Sequence, residues 1–205
     1  MQQSKEYIRL AADLQTDSIV DGPGLRAVIW TQGCSHNCMG CQNPHTHDFK
    51  GGFEVDVEEI NDAISELKFQ DGITFSGGDP FFQPEACAKI AAHVQSLGMD
   101  VWCYTGFLFE DLLKASIKKK SIMNFLNNID ILVDGPFVIS KRSYSAKFRG
   151  SSNQRIIDVK KSLEEGYVVL ALQDEEEQET EPACQASSPG GFCVCAGPCR
   201  VPCGD

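Results

Sequence analysis

The 205-residue sequence contains no apolar run that approaches the ~20 residues needed to cross a bilayer. Its first twenty residues carry Lys5, Glu6, Arg9, Asp13 and Asp17. The basic start and apolar centre of a signal peptide are therefore missing. We expect a cytoplasmic protein that makes no contact with a membrane.

Basic residues are also scarce. The chain has 18 Lys and Arg against 29 Asp and Glu, which gives a formal net charge of -11. A general nucleic-acid binder needs clustered cations to neutralise phosphates. We therefore expect no nucleic-acid partner.

Cysteine, in contrast, is abundant, with ten in the chain. Without a secretion signal, this number favours metal or redox chemistry over a disulfide framework. Cys34, Cys38 and Cys41 are spaced C-x3-C-x2-C on a predicted loop, so their thiolates are expected to converge on one metal centre. Structural zinc sites take four ligands and common 4Fe-4S clusters take four thiolates, so three cysteines would leave one iron open to a substrate or cofactor. Buried structural cysteines, or zinc with a distant fourth ligand, remain alternatives.

Short apolar segments alternate with amphipathic helical patterns through much of the chain. Such alternation predicts parallel βαβ units covered by helices. The predicted strands are residues 27–30, 72–75, 99–104, 129–133, 156–159 and 167–172. A complete eight-fold barrel typically needs about 250 residues. The expected fold class is therefore α/β, with an open, partial (βα)6 barrel.

Four of these strands are followed by polar or glycine-rich segments. The carboxyl ends of parallel strands meet at one rim, where such folds place their chemistry. The candidate site residues there, besides the three cysteines, are Gly77, Gly78, Asp79, Thr105 and Asp134. Plain turns are the alternative explanation for residues 77–80 and 134–136.

The composition changes after residue 172. Residues 174–182 form an acidic run, and residues 184–205 hold five cysteines among glycine, proline and serine. We therefore expect one domain over residues 1–172 and an irregular, flexible, Cys-rich tail over residues 173–205. The spacing of Cys193, Cys195, Cys199 and Cys203 matches no metal-site template, and whether they bind a metal stays open.

Several motifs together resemble a known family. They are VDGPGLR at residues 20–26, the cysteine motif followed by NPHT at 43–46, and SGGDP at 76–80. This combination is similar to the radical S-adenosylmethionine activating enzymes of glycyl-radical enzymes. Residues 130–137 and the segment FRGSSNQR at 148–155 resemble the branch that acts on anaerobic (class III) ribonucleoside-triphosphate reductase. The resemblance spans residues 17–160.

The resemblance implies a radical S-adenosylmethionine type of fold and a 4Fe-4S cluster held by Cys34, Cys38 and Cys41. In this family S-adenosylmethionine chelates the open iron, and an electron from the cluster cleaves it to methionine and a 5'-deoxyadenosyl radical. That radical would abstract hydrogen from a glycine of the reductase, which is thus a protein substrate. A low-potential electron donor such as a flavodoxin is the second implied partner.

The resemblance also implies roles for the other candidates. Gly77 and Gly78 match the family segment whose backbone approaches the methionine amino group, and glycine permits such an approach because it has no side chain. Asp79 stands where many relatives carry glutamate. Thr105 and Asp134 resemble positions near the ribose or carboxylate of the cofactor. Activation of another glycyl-radical enzyme, such as a formate-lyase, and a non-enzymatic iron-sulfur or zinc-binding module are the alternative functions.

Overall fold

A computed structural model describes residues 5–171, which form one mixed α/β unit. The predictions for residues 173–205 lie outside the described residues. The strands are β1 (Tyr7–Leu10), β2 (Gln15–Ser18), β3 (Arg26–Thr31), β4 (Phe53–Asp56), β5 (Gly72–Gly77), β6 (Asp100–Tyr104), β7 (Ile131–Asp134) and β8 (Arg155–Asp158). The helices are α1 (Val57–Ser65), α2 (Pro84–Ser96), α3 (Phe109–Ser116), α4 (Lys120–Leu126) and α5 (Val159–Glu165). Within residues 5–171, no helix is long and apolar enough to cross a membrane.

All of these strands belong to one sheet, whose order is β4-β1-β3-β5-β6-β7-β8, with β2 paired to β3 off this path. Strands β3, β5, β6 and β7 are parallel. Strands β1 and β4 are antiparallel to their neighbours, and β8 is antiparallel to β7. The predicted α/β class is confirmed, but the prediction of six parallel βα units is wrong for the described residues, which contain four parallel strands.

The connection from β7 to β8 explains the reversed direction of β8. Residues 135–154 contain a short 3-10 helix, Ile139–Lys141, and an isolated bridge between Arg142 and Ser151, but no α-helix. A parallel pairing usually needs a helical crossover, so the chain returns along the sheet edge in the opposite direction. The strand predicted at residues 167–172 is reduced, within the described part, to a single bridge between Leu170 and Ile157.

The helices cover one face of the sheet and bury the main core. In α1, Ile60 and Ile64 recur at helical spacing and are buried, and the Asp56 carboxylate caps the helix by accepting from the Glu58 backbone N–H at 3.2 Å. Helix α2 buries Ile90 and Val94 in the same way. These contacts fix the helices behind the parallel strands.

A smaller apolar cluster lies on the opposite face of the sheet. Trp102 and Tyr104 alternate along β6 with residues of the main core, so their side chains point away from the helices. They pack with Val133, Ile156 and Phe148. The segment that contains Phe148 therefore crosses this second face.

Arg26, at the start of β3, anchors the preceding glycine-rich segment to the sheet. Its fully buried guanidinium donates from Nε to Thr74 Oγ1 at 2.7 Å and from Nη2 to Asp100 Oδ1 at 2.5 Å, and lies 5.6 Å from the Trp102 ring centroid. Thr74 Oγ1 in turn donates to the Asp21 backbone carbonyl at 2.8 Å. A buried charge needs such partners, so the end of the VDGPGLR motif is a structural anchor.

Candidate functional site

A cavity of about 530 Å³ lies at the carboxyl ends of the four parallel strands. Each of these strands contributes to its lining. The contributing residues are Trp30 near the end of β3, Ser76, Gly77 and Gly78 at the end of β5, Tyr104, Thr105 and Gly106 at the end of β6, and Gly135 after β7. The expectation that four strand ends meet at one rim is thus confirmed.

The three motif cysteines also line this cavity. Cys34, Cys38 and Cys41 are free, partly exposed thiols on the loop that follows β3. The loop curls because Asn37 and Gly40 adopt positive φ angles of 49° and 76°. The structure therefore brings the three cysteines to the same cavity as the strand ends.

Backbone N–H groups are aimed at two of the sulfur atoms. The His36 N–H donates to the Cys34 sulfur, and the Asn43 N–H donates to the Cys41 sulfur at 3.4 Å. Burial is the main cause of the raised pKa of the Cys34 thiol, which the hydrogen bond from His36 opposes. Such donors stabilise thiolates and are one of the factors that set the reduction potential of a cluster.

The described residues offer no ready site for a single metal ion. Across residues 5–171, no group of three or more His, Cys, Asp and Glu side chains is arranged to hold one ion. A 4Fe-4S cluster makes a different demand, because each thiolate binds a separate iron atom. Three half-exposed thiols around one cavity, two with N–H donors, fit a cluster of this kind.

Gly77 and Gly78 line the cavity and also make close contacts within the chain. A Cβ atom on Gly77 would lie 2.6 Å from the Thr31 carbonyl oxygen, and one on Gly78 would lie 2.5 Å from the Gly33 carbonyl oxygen. Gly77 also has φ of 97°, and the Gly78 N–H donates to Thr31 at 2.7 Å. Glycine is thus needed at both positions for the close packing of the end of β5 against residues 31 and 33, apart from any contact with a cofactor.

Asp79 does not line the cavity but lies buried beneath it, with 1% of its surface exposed. Its carboxylate accepts from the Phe81 N–H at 3.0 Å, the Gly106 N–H at 2.9 Å and Thr105 Oγ1 at 2.9 Å. It also accepts from His36 Nε2 at 2.7 Å. The carboxylate thus joins the end of β5, the end of β6 and the cysteine loop.

The contact between His36 and Asp79 is one that sequence reasoning missed. His36 is not among the candidate site residues proposed from the sequence, yet its ring lies 2.7 Å from Asp79 Oδ2. Its partner lies 43 residues away, so no local pattern could identify it. The fold brings the pair together because β3 and β5 are parallel neighbours.

The fifth non-cysteine candidate, Asp134, is turned away from the cavity, which its neighbour Gly135 lines instead. The buried Asp134 carboxylate accepts from the Phe109 N–H at 2.8 Å and from Arg155 Nε at 2.9 Å. Arg155 also donates to both carboxylate oxygens of Glu110, at 2.9 and 2.7 Å, and these hydrogen bonds lower the pKa of Glu110 to about 2. Asp134 and Arg155 therefore tie β7 and β8 to α3.

Residues 148–154 form a wall of the cavity that sequence reasoning did not assign. Phe148, Arg149, Gly150 and Gln154 line the cavity. Gln154 Oε1 accepts from the Gly150 and Ser151 N–H groups at 3.0 and 3.1 Å, while its Nε2 donates to the Gly135 carbonyl at 3.2 Å. The FRGSSNQR signature was the signal that could have drawn attention to this segment.

Comparisons with known proteins agree with this geometry. The family described as a 4Fe-4S single cluster domain matches residues 20–157. The anaerobic ribonucleoside-triphosphate reductase-activating protein of Escherichia coli (strain K12) is 37% identical over 145 residues, which cover 66% of this chain and 90% of that protein. Proteins of the same name are similar at 36% identity in Salmonella typhi, with the same coverage, and at 31% in Enterobacteria phage T4, over 67% of this chain and 86% of that protein.

Among solved structures, the crystal structure of QueE from Escherichia coli is similar over a limited part of the fold. It has a TM-score of 0.39 and 13% sequence identity, over 49% of this chain and 52% of that chain. About half of each chain has no counterpart in the other.

Proposed function

Because the chain belongs to the family of anaerobic ribonucleoside-triphosphate reductase-activating proteins, we propose that it generates a glycyl radical on such a reductase with a 4Fe-4S cluster and S-adenosylmethionine. The observation that carries the proposal is the shared cavity, which the motif cysteines and the ends of the parallel strands line together. A cluster and a cofactor placed there would be in direct contact.

The cysteine loop supplies the cluster ligands in this proposal. Cys34, Cys38 and Cys41 would each bind one iron as a thiolate, and the fourth iron would stay open to the cofactor. The N–H groups of His36 and Asn43 would hold the first and third thiolates in place. Gly40, between the second and third of these cysteines, has a positive φ of 76°, which favours glycine, so the turn that brings Cys38 and Cys41 to the cavity depends on it.

When bound, a reduced cluster would supply the electron that cleaves S-adenosylmethionine to methionine and a 5'-deoxyadenosyl radical, and that radical would take a hydrogen atom from a reductase glycine. The chain's own part is to bind and orient the cofactor. Gly77 and Gly78 would present their backbone to its methionine end. Thr105 lies beside them, with its hydroxyl donated to Asp79.

The end of β7 completes the proposed cofactor site. The sequence placed a contact at Asp134, but that carboxylate is engaged by Phe109 and Arg155. Gly135, which lines the cavity, is therefore the proposed contact at this strand. Asp134 would have an indirect role: its carboxylate would fix the turn that carries Gly135.

In this proposal the sheet serves as an open, partial barrel, with helices on one face and the reaction site on the other. The helices cover one face, and the cavity and the Trp102 cluster lie on the other. Such a sheet would let a peptide of the reductase reach the cofactor from the face that the helices do not cover. A low-potential electron donor such as a flavodoxin and a cytoplasmic location are further parts of this proposal.

The test combines the anaerobically reconstituted protein with reductant, S-adenosylmethionine and an anaerobic ribonucleoside-triphosphate reductase. We expect 5'-deoxyadenosine in the products and a glycyl doublet in the electron paramagnetic resonance spectrum of the reductase. A reductase with its radical glycine replaced by alanine is the matched control and should show no doublet. Cofactor cleavage without a doublet on the intact reductase would remove the substrate assignment, and absence of cleavage with a full cluster would remove the reaction.

A further inference from the structure

His36 is attached to its surroundings at two points. Its backbone N–H donates to the Cys34 sulfur, within the cysteine loop. Its ring donates from Nε2 to Asp79 Oδ2 at 2.7 Å, on the segment that follows β5. One residue thus connects a proposed cluster ligand to the strand end proposed to hold the cofactor.

The His36 ring has little freedom to turn away from Asp79. Its centroid lies 4.4 Å from that of Phe107, in an edge-to-face arrangement, and 6.0 Å from that of Phe82. Gly106 packs below the ring, where a Cβ atom would lie 2.5 Å from His36 Cδ2. The ring is therefore seated in a shaped site and only 18% of its side chain is exposed.

Asp79 is a fixed anchor for this ring. Its carboxylate is buried and already accepts hydrogen bonds from Phe81, Thr105 and Gly106. A carboxylate with that many donors has few alternative orientations. Movement of the cysteine loop relative to β5 would therefore break the bond from His36 before it moved Asp79.

We infer that His36 is a positioning residue of this site: its hydrogen bond to Asp79 holds the cysteine loop in register with the Gly77 and Gly78 backbone, and so sets how S-adenosylmethionine meets the open iron. The inference rests on the proposed function. It assigns to Asp79 a role through His36, since its carboxylate does not line the cavity. By this inference, the hydrogen bond from the His36 N–H to the Cys34 sulfur also depends on the anchoring of the His36 ring by Asp79.

The test compares His36→Gln with His36→Met. The two side chains have similar length and flexibility, but only glutamine can donate to Asp79. Each variant is reconstituted and matched for iron and sulfide per chain. S-adenosylmethionine is then titrated against the spectrum of the reduced cluster, which reports binding without turnover.

We expect His36→Met to weaken S-adenosylmethionine binding about tenfold, as for loss of a hydrogen bond to a charged group. His36→Gln should stay within about threefold of the unaltered protein, since it keeps the donor. The cluster potential of His36→Met should also fall, because a looser loop weakens the N–H bond to the Cys34 thiolate, whereas His36→Gln should keep it. His45→Met, at an exposed position of the same loop, is the matched control and should change neither value.

Two results would overturn the inference: unaltered S-adenosylmethionine binding by His36→Met, or equal weakening of the Met and Gln variants together with normal cluster content. If His36→Met does not assemble a cluster, His36→Phe replaces it, because phenylalanine keeps the ring packing and lacks the donor. Failure of the proposed function is a separate outcome. In that case the unaltered, cluster-loaded protein itself would show no spectral change with S-adenosylmethionine.

Discussion

Gly78 lies against Gly33 so closely that a Cβ atom on Gly78 would be 2.5 Å from the Gly33 carbonyl oxygen. The same oxygen accepts from the Asp79 N–H at 3.0 Å. This contact joins the residue before Cys34 to the residue after β5. The cysteine loop and the proposed cofactor strand are therefore one packed unit.

Gly78→Ala should lower the free energy of unfolding by about 3 kcal/mol, because the added methyl group forces the two backbones apart. Gly98→Ala is the control, since nothing lies within 4 Å of a Cβ atom there and only its φ of 79° carries a cost, about 1 kcal/mol. Urea unfolding followed by circular dichroism measures both. Equal losses of unfolding free energy in the two variants would show that the contact with Gly33 adds no cost to a side chain at position 78.

Cys38→Ala should lose most of the iron that the unaltered chain binds on anaerobic reconstitution, because a cluster held by two thiolates is poorly retained. Cys87→Ala should retain its iron. Cys87 is fully buried in α2, and burial raises the pKa of its thiol well above the ordinary range. The measurement is the iron and sulfide content per chain after reconstitution. Equal iron in the two variants would contradict the assignment of Cys38 as a ligand.

Glu110→Gln should destabilise the protein at neutral pH by about 0.5–1 kcal/mol, since the side chain is about half exposed and solvent screens its bond to Arg155. The pKa of Glu110 is lowered from 4.5 to about 2, mainly by the hydrogen bond from Arg155. The stabilisation is therefore fully present above pH 4.5 and is lost as the pH falls toward 2. The difference in unfolding free energy between the two proteins should shrink over that window.

The matched control for this pH dependence is Asp111→Asn, which removes an exposed partner of Lys114 on the same helix. We expect a smaller effect at neutral pH, because that pair is single and exposed. A Glu110→Gln difference that stays constant from pH 7 to pH 3 would contradict the role of the charged bond to Arg155.

Removal of residues 173–205 should leave cluster assembly and cofactor cleavage unchanged, because the cavity lining found within residues 5–171 falls between positions 15 and 154 and includes all three motif cysteines. The production of 5'-deoxyadenosine by the shortened chain, per cluster, is the measurement. A loss of cleavage with the cluster still assembled would place part of the working site in the removed segment.

Local sequence patterns were sufficient for the parallel part of the fold. The short apolar run at residues 27–30 predicted β3, and the amphipathic patterns between predicted strands are typical of helices such as α1, where Ile60 and Ile64 recur at helical spacing. Both signals arise from neighbours in the chain, where periodicity records which face is buried. The meeting of four strand ends then followed from their shared direction.

The antiparallel strands and the contacts of the Asp79 carboxylate could not be predicted in this way. β1 and β4 pair Tyr7 with Asp56, and the bond between His36 and Asp79 also joins distant positions. Such contacts are set by tertiary packing, for which one sequence carries no local signal. The alternation of buried Ile8 and Leu10 was the one available hint of β1.

The wall formed by residues 148–154 has a consequence for the encounter with the reductase. Tyr104 Oη donates to the Phe148 carbonyl at 3.0 Å, and Asn153 donates to the Pro136 carbonyl at 2.9 Å. These bonds hold the wall to the end of β6 and to the segment that follows β7. In the proposed reaction, the movement that brings a glycine to the radical would then fall to the reductase, whose own loop would have to leave its resting place to reach this site.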